Sequence, residues 1–260
     1  MHQQLKVAYL QHGIVWEDPA ANRAAIDSAL DGIVADVVVL PETFTTGFSS
    51  HMAQLAEPAD GPTLHWARQT AQRLDALLVG TWVVAEGGRA YNRMHMVQPD
   101  GQCHRYDKAH TFRMSSEADQ ICRGTARTTV EWRGWRIRAA VCYDLRFPLW
   151  LRNSFDGKRL DYDLLLLSAN WPASRQQAWT TLLQARAIEN MAYVVGVNRT
   201  GIDDEGIEYS GHSAAYDYCG RQVSCCQPGR PQMATVVLDR DELDRFRQRW
   251  PFYLDFDTSQ

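Results

Sequence analysis

The sequence lacks an excess of basic residues, long apolar runs and a signal-peptide pattern, which are typical of nucleic-acid-binding, membrane and secreted proteins respectively. Among 260 residues, Lys plus Arg total 27 against 31 for Asp plus Glu, so the net charge of -4 provides no basic field for a nucleic acid backbone. Aliphatic runs such as Leu164–Leu167 are far too short to span a bilayer, and the first residues lack the pattern of a signal peptide. We therefore expect a soluble, cytoplasmic protein that binds neither nucleic acid nor membrane.

The six cysteines and eight histidines are also too scattered for the roles that clusters of them serve. No C-x-x-C spacing occurs, and a chain of this size does not need disulfides to fold. Neither of the glycine-rich phosphate-binding motifs, G-x-G-x-x-G and G-x-x-x-x-G-K, is present. We expect reduced thiols, no metal and no cofactor, and nothing here favours a nucleotide-binding protein.

What the chain does contain is an alternation of strand-like and helix-like apolar patterns. Lys6–Leu10 and Ala35–Leu40 are predicted strands on either side of a helix that begins after Asp18, which indicates a βαβ unit with parallel pairing. Tyr91–Tyr106 and Thr128–Val141 are predicted hairpins, which interrupt a purely parallel pattern. No linker or internal repeat divides the chain, so we predict one α/β domain over residues 1–260. The other predicted strands are Val79–Val84, Asp163–Ala169, Ala192–Val197, Ser213–Tyr218, Arg221–Cys225 and Met233–Leu238, and the other helices are Leu64–Leu78, Arg175–Met191 and one from about Asp241.

Three reactive side chains come at or just after predicted strand ends, where the ligand sites of α/β sheets form. They are Glu42, Lys108 and Cys142. Each has an ordinary explanation, since Glu42 could cap a turn, Lys108 could pair with Asp107 in solvent and Cys142 could fill the core. Together they complement one another, because a thiol nucleophile needs a base and an acyl-transfer site needs a donor for the oxyanion.

The segments around these residues resemble the signatures of the nitrilase, or carbon-nitrogen hydrolase, superfamily. The three main matches are Pro41–Phe48, Tyr106–His110 and Val141–Pro148. The resemblance continues in the family's order through residues 168–172, 184–190, 198–201 and 211–213, and so covers nearly the whole chain. It implies a four-layer α-β-β-α sandwich with a catalytic Glu-Lys-Cys site, which falls here on Glu42, Lys108 and Cys142.

The resemblance also implies a mechanism that needs no cofactor. Glu42 takes the thiol proton as Cys142 attacks an amide carbon, while Lys108 and the backbone N–H of Tyr143 hold the oxyanion. A thioester forms as ammonia leaves, and water then releases the acid. Glu117 matches the second glutamate that the family usually carries after the lysine, although it could also be an ordinary surface carboxylate.

The segment that contains Arg146 resembles the omega-amidase branch, whose members cleave the terminal amide of 2-oxoglutaramate or 2-oxosuccinamate. A guanidinium can hold a substrate carboxylate through paired hydrogen bonds, or Arg146 can form an ion pair with Asp144. Arg175 is either a second carboxylate contact or the exposed start of its helix. Aromatic residues that could wall the pocket, or equally fill the core, are Phe44, Phe48 and Trp171. N-carbamoyl amino acid amidohydrolases and nitrilases share the three catalytic residues and remain alternatives.

Two other readings of the chain stay open at this point. Gly211–Ala215 partly matches the G-x-S-x-G motif of serine hydrolases but lacks its closing glycine. A non-catalytic interaction module could also use the same fold, in which case Cys142 would be no more reactive than the other cysteines. Finally, the resemblance implies a homodimer or higher homo-oligomer packed through outer helices, with the helix from about Asp241 and the tail Trp250–Tyr253 at the interface.

Overall fold

Two β-sheets stack face to face in the computed structural model, which describes residues 3–256. The strands are β1 Gln4–Gln11, β2 Val37–Val39, β3 Glu57–Pro58, β4 Leu77–Glu86, β5 Arg89–Val97, β6 Cys103–Asp107, β7 Thr129–Trp132, β8 Trp135–Val141, β9 Leu164–Ala169, β10 Tyr193–Asn198, β11 Thr200–Ile202, β12 Glu208–Ser210, β13 Ala214–Tyr216, β14 Gln222–Cys225 and β15 Gln232–Asp239. The first sheet has the order β15-β1-β2-β4-β5-β6, with β3 beside β4, and the second has the order β14-β13-β10-β9-β8-β7. Strands β11 and β12 form a separate two-stranded ribbon.

Alternate residues of the first sheet face opposite sides, which creates two apolar cores. In β1, Val7 and Tyr9 belong to the core between the sheets, whereas Ala8 and Leu10 belong to the core that packs against two helices. The same alternation places Val37, Val39, Leu77 and Val79 between the sheets and Val38, Leu40 and Leu78 on the helical side. The α-helices are α1 Pro19–Ala29, α2 Pro62–Leu74, α3 Glu117–Gln120, α4 Pro148–Leu151, α5 Gln176–Asn190 and α6 Arg240–Arg249.

Helix α5 covers the outer face of the second sheet at very short range. A Cβ atom on Gly196 of β10 would lie 2.5 Å from the Leu183 side chain and 2.8 Å from the Trp179 ring, so only glycine permits this approach. With α1 and α2 on the other side, the layers run helix, sheet, sheet, helix. The predicted four-layer α-β-β-α sandwich is therefore confirmed.

Most predicted elements occur, and the errors lie mainly at their ends. The predicted βαβ unit is present, with β1 and β2 parallel and the Asp18 carboxylate accepting a hydrogen bond from the Ala21 N–H at the start of α1. Helix α2 ends at Leu74 rather than continuing to Leu78, because Asp75 adopts a left-handed conformation and the chain then enters β4. The helix predicted from about Asp241 begins at Arg240. The short elements β3, β11, β12, α3 and α4 were not predicted, since they are too short for a periodic pattern.

No helix within residues 3–256 is both long and apolar enough to cross a membrane.

Candidate active site

A cavity of about 420 Å³ opens where the carboxyl ends of several strands meet. Lys108 contributes to its wall from the loop after β6, Cys142 from the end of β8, and Asn170 from the end of β9. The Ser168 hydroxyl of β9 donates a 2.7 Å hydrogen bond to the carbonyl of Leu40, which ties the two sheets together at this edge. The site is thus built between the sheets, from residues that are far apart in the sequence.

Cys142 stands at a sharp turn directly after β8. Its φ of 43° lies in the left-handed region, which residues other than glycine rarely adopt, and a short 3₁₀ helix, Cys142–Arg146, follows. The turn is braced by the Asp144 carboxylate, which accepts hydrogen bonds from the Val141 N–H at 3.0 Å and the Tyr106 hydroxyl at 2.7 Å. Cys142 lines the cavity although only 8% of its surface is exposed.

The Glu42 carboxylate is fully buried and accepts hydrogen bonds from three nitrogen donors. Its Oε1 accepts hydrogen bonds from Lys108 Nζ at 2.9 Å and from Asn92 Nδ2 at 2.8 Å. Its Oε2 accepts the backbone N–H of Asn170 at 2.8 Å, and the Asn170 side chain donates back to the Glu42 carbonyl at 2.8 Å. A carboxylate from the first sheet is therefore locked onto the end of β9 in the second.

Lys108 joins two buried carboxylates. Its Nζ lies 2.9 Å from Glu42 Oε1 and 2.9 Å from both oxygens of Glu117, and all three side chains are 0% exposed. Burial opposes the Lys108 charge, but Glu117 and Glu42 outweigh burial and raise the Lys108 pKa, so the ammonium stays charged. For Glu117, burial is the largest influence and raises its pKa against the opposing charge of Lys108.

Two ordinary explanations are thereby wrong. Lys108 is not a solvated partner of Asp107, because Asp107 pairs with Arg93 at 2.6 Å and Lys108 is fully buried. Glu117 is not a surface carboxylate, because its oxygens accept from Lys108 and, at 2.6 Å, from the Phe112 N–H.

The surroundings of the Cys142 thiol disfavour its ionised form. Burial raises its pKa well above the usual range, the neighbouring Glu42 raises it further by charge and by a hydrogen bond, and Lys108 works in the opposite direction. The Sγ atom also lies 3.8 Å from the Asn170 carbonyl. A base beside the thiol is therefore needed to produce a thiolate.

The predicted substrate contacts mostly face the cavity. Phe48, Arg146 and Trp171 all line it, and the Arg146 guanidinium lies over the Trp171 ring at 4.9 Å. Tyr143, the predicted supporting residue, lines it as well. Phe44 does not: it is fully buried beneath α2, with its ring 5.6 Å from that of Trp66 and 5.8 Å from that of Trp82.

The alternative ion pair between Arg146 and Asp144 is absent from the described part of the chain. The Asp144 carboxylate is already occupied by Tyr106, by the Val141 N–H and by His110, whose Nδ1 lies 2.7 Å away. Arg175 is exposed near the start of its helix, which agrees with the second of its two predicted roles. It also lines the cavity, with its guanidinium 5.2 Å from the Phe112 ring, so the first role, contact with a substrate carboxylate, stays a prediction.

Sequence reasoning assigned no role to Asn92 or Asn170, which contact Glu42. Asn92 alternates along β5 with Met94 and Met96, which face the core between the sheets. A polar residue in such an apolar row is the signal that could have identified it. Ser213, the serine of the partial G-x-S-x-G match, is fully buried and bonded to the backbone of Asn198, so it is not presented as a nucleophile.

A buried carboxylate, ammonium and thiol lie together beside one cavity of an α-β-β-α sandwich, an arrangement typical of hydrolases that act through a thiol. Residues 6–248 match the model of the family described as carbon-nitrogen hydrolase, and the chain belongs to that family. The predicted superfamily and the predicted action on carbon–nitrogen bonds are thus confirmed.

Within this family, the chain is similar over nearly its full length to several named proteins. The chain is 46% identical over 254 residues to omega-amidase YafV of Yersinia enterocolitica, covering 97% of each chain, and 31% identical over 255 residues to 2-oxoglutaramate amidase of Bacillus subtilis, covering 96% of each. Among solved structures, XC1258 of Xanthomonas campestris, a CN-hydrolase superfamily protein with an arsenic adduct in its active site, is similar with a TM-score of 0.97 and 42% identity. That match covers 100% of this chain and 99% of the other.

Proposed function

We propose that this protein is an omega-amidase that hydrolyses the terminal amide of a small carboxylate-bearing substrate, of the 2-oxoglutaramate or 2-oxosuccinamate type, to the 2-oxo diacid and ammonia. The observation that carries the proposal is the meeting of Glu42, Lys108 and Cys142 beside a cavity that is also lined by Arg146, which has no acidic partner among residues 3–256. Relatives named omega-amidase and 2-oxoglutaramate amidase, similar over nearly their full length, support the substrate class.

The first half of the reaction acylates the enzyme. Glu42 takes the proton of the Cys142 thiol as the sulfur attacks the amide carbon, which suits a thiol whose pKa burial and Glu42 keep high. The oxyanion is stabilised by the Lys108 ammonium and the backbone N–H of Tyr143. Glu42 then returns the proton to the nitrogen, the carbon–nitrogen bond breaks, ammonia leaves and a thioester remains on Cys142.

The second half repeats the chemistry with water. Glu42 removes a proton from a water molecule, whose oxygen attacks the thioester carbon, and the same oxyanion donors act again. When the carbon–sulfur bond breaks, the sulfur recovers its proton from Glu42 and the acid departs. One carboxylate serves both halves, and Glu117 supports it by fixing the ammonium from the other side.

Substrate choice is assigned to two arginines. Arg146 and Arg175 line the cavity, lie over Trp171 and Phe112, and have no acidic partner within the described residues. The Trp171 indole N–H donates a hydrogen bond to the Arg175 carbonyl at 2.8 Å, and the Arg146 guanidinium lies over the same indole ring. Trp171 therefore contacts both arginines. A substrate carboxylate can satisfy guanidinium groups held in this way.

The test measures ammonia release from 2-oxoglutaramate, 2-oxosuccinamate, N-carbamoyl amino acids, small nitriles and an uncharged amide of matched length. We expect the two oxo-acid amides to have the highest kcat/KM. Arg146→Gln should lower that value by about tenfold to a hundredfold, with little effect on the uncharged amide. Faster hydrolysis of a carbamoyl compound or a nitrile would instead support those alternatives and contradict the proposal.

We also propose that residues 1–260 act as one domain, in the cytoplasm and without a cofactor, as a homodimer or higher homo-oligomer. Six free cysteines support a reducing compartment. The exposed apolar residues Trp250, Phe252 and Leu254, next to α6, support an interface there. Light scattering at micromolar concentration should give at least twice the 29.6 kDa chain mass, and a monomer would contradict this proposal.

A further inference from the structure

We propose that Asn92 is a positioning residue for the reaction, holding the Glu42 and Glu117 carboxylates in register around the Lys108 ammonium. The inference rests on the proposed function for its kinetic consequences, but the contacts that carry it do not depend on which amide is cleaved.

Two carboxylate oxygens share the same two donors. Asn92 Nδ2 donates to Glu42 Oε1 at 2.8 Å and to Glu117 Oε1 at 3.0 Å, one N–H to each. Lys108 Nζ lies 2.9 Å from both of these oxygens. Since like charges repel strongly away from water, two donors that bridge both oxygens favour keeping the two carboxylates together.

The Asn92 side-chain amide donates hydrogen bonds to both carboxylates without adding a second positive charge. One ammonium already neutralises one of the two carboxylates, and the amide adds two N–H donors without adding charge. The backbone carbonyl of Asn92 also accepts the Lys108 N–H at 3.0 Å. One fully buried residue therefore fixes the base, the second carboxylate and the backbone of the ammonium donor.

An unpaired buried oxygen of the Asn92 side chain favours a functional role for this residue over a purely structural one. Its Oδ1 atom is buried without a hydrogen-bond partner among the described residues. A buried acceptor without a hydrogen bond destabilises the fold. A polar side chain with such an acceptor therefore calls for an explanation, and a role in function is one. The opposite amide orientation would direct Oδ1 at two carboxylate oxygens, so the donor side must face them.

Glu42 is faced by charged or titratable groups on three elements: Lys108 after β6, Glu117 at the start of α3 and Cys142 after β8. Removing the Asn92 N–H groups withdraws a donor from the ionised base and leaves these neighbours in place. The carboxylate cluster around Lys108 then holds its negative charge less readily, and the acid limb of the kcat/KM profile should move to higher pH.

The experiment compares Asn92→Leu, which keeps the volume but loses the donors, with Asn153→Ala. Asn153 is an equally buried asparagine whose bonds go to Tyr162 and Asn190, outside the cavity. For Asn92→Leu we expect kcat to fall by about tenfold to a hundredfold, with KM changed by less than about threefold because Asn92 does not line the cavity, and the acid limb to move up. Asn153→Ala should lower the melting temperature and leave the acid limb unmoved.

Asn92→Gln provides the second variant, because it retains the amide but displaces it by one methylene. We expect an intermediate kcat and a smaller movement of the acid limb in the same direction. A folded Asn92→Leu, or a folded Asn92→Gln if the first does not fold, with wild-type kcat and an unmoved acid limb overturns the proposal.

A substrate-independent measurement separates this proposal from the proposed function. The rate at which iodoacetamide alkylates Cys142 is followed against pH by peptide mass, in wild type and in the Asn92 variants. The acid limb of alkylation should move up in the variants even if no omega-amide proves to be a substrate. An unmoved limb overturns the positioning role, whereas absent ammonia release from wild type overturns only the function.

Discussion

Two buried ion clusters differ in which charge is in excess: cations outnumber carboxylates in one, and carboxylates outnumber cations in the other. In the structural cluster, one carboxylate, Asp163, accepts hydrogen bonds from Arg136 at 2.8 and 3.1 Å, from Arg240 at 2.8 Å and from Arg247 at 2.7 Å. In the site cluster, one ammonium, Lys108, serves two carboxylates. Both clusters centre on side chains that are 0% exposed, but only the second reaches the cavity.

The electrostatic outcomes differ accordingly. Burial opposes the ionisation of Asp163, but the hydrogen bond from Arg136 and the charges of Arg247, Arg240 and Arg136 outweigh it and lower the Asp163 pKa. For Glu117, burial prevails and raises the pKa. A surplus of cations thus favours the charged form of Asp163, whereas a shortage of cations makes the charged form of Glu117 harder to maintain.

The largest expected effect is confined to the site. Cys142→Ala should reduce ammonia release by at least about a thousandfold, because the variant lacks the proposed nucleophile. Cys226→Ala is the matched control: this thiol is also buried, and burial raises its pKa to about 12, but it does not line the cavity. If the two variants lost activity equally, the distinction between a catalytic and a core cysteine would fail.

The next effect is confined to the structural cluster. Asp163→Ala should lower the free energy of unfolding by about 3–5 kcal/mol, because three arginines lose their buried partner. At a temperature where the variant is folded, kcat should stay within about twofold of wild type, since Asp163 is outside the cavity. Chemical denaturation and an ammonia assay on the same preparation measure both quantities. A selective loss of kcat would contradict the comparison.

Lys108→Ala should affect both quantities. Loss of the proposed oxyanion donor should raise the barrier by about 3 kcal/mol, or roughly a hundredfold in kcat/KM. The buried Glu42 and Glu117 carboxylates also lose the ammonium that they share, so the free energy of unfolding should fall as well. A folded variant that releases ammonia at close to the wild-type rate would remove Lys108 from the mechanism.

The smallest effect is a difference in pH dependence between two carboxamide variants. The Asp163 pKa is lowered below its ordinary 3.8, so the stability it contributes is present above about pH 3.8 and is lost as pH falls through the lower folded value. The Glu117 pKa is raised above its ordinary 4.5, so wild type loses stability as pH rises from 4.5 toward the folded value. The penalty of Asp163→Asn should therefore grow from pH 3 to 7, and that of Glu117→Gln should shrink from pH 4.5 to 7. Urea midpoints across this range test the opposite slopes, and parallel slopes would contradict them.

The strands, and with them the edge where the site lies, could be predicted because their signals are local. Apolar alternation in β1, β2 and β4 encodes which residues face the second sheet and which face the helices. Glu42, Lys108 and Cys142 could be proposed as one site because each comes at or just after a predicted strand end, and such ends share an edge.

The rest depends on contacts that leave no periodic trace. Asp163 meets Arg240 and Arg247 across 77 and 84 positions, and Asn92 meets Glu42 across 50. The left-handed turn at Cys142 and the bounds of α2 depend on backbone conformations that tertiary packing selects. Residue types at these positions are compatible with several environments, so only the folded chain distinguishes them.

The most direct test of the central claim is to trap the acyl-enzyme. Protein mixed with 2-oxoglutaramate is quenched in acid within milliseconds to seconds and digested, and the peptides are analysed by mass spectrometry. We expect an adduct on Cys142 with the mass of the substrate minus ammonia, labile to hydroxylamine and absent from Cys142→Ala. Steady ammonia release with no adduct on Cys142, or with the adduct on another residue, would contradict it.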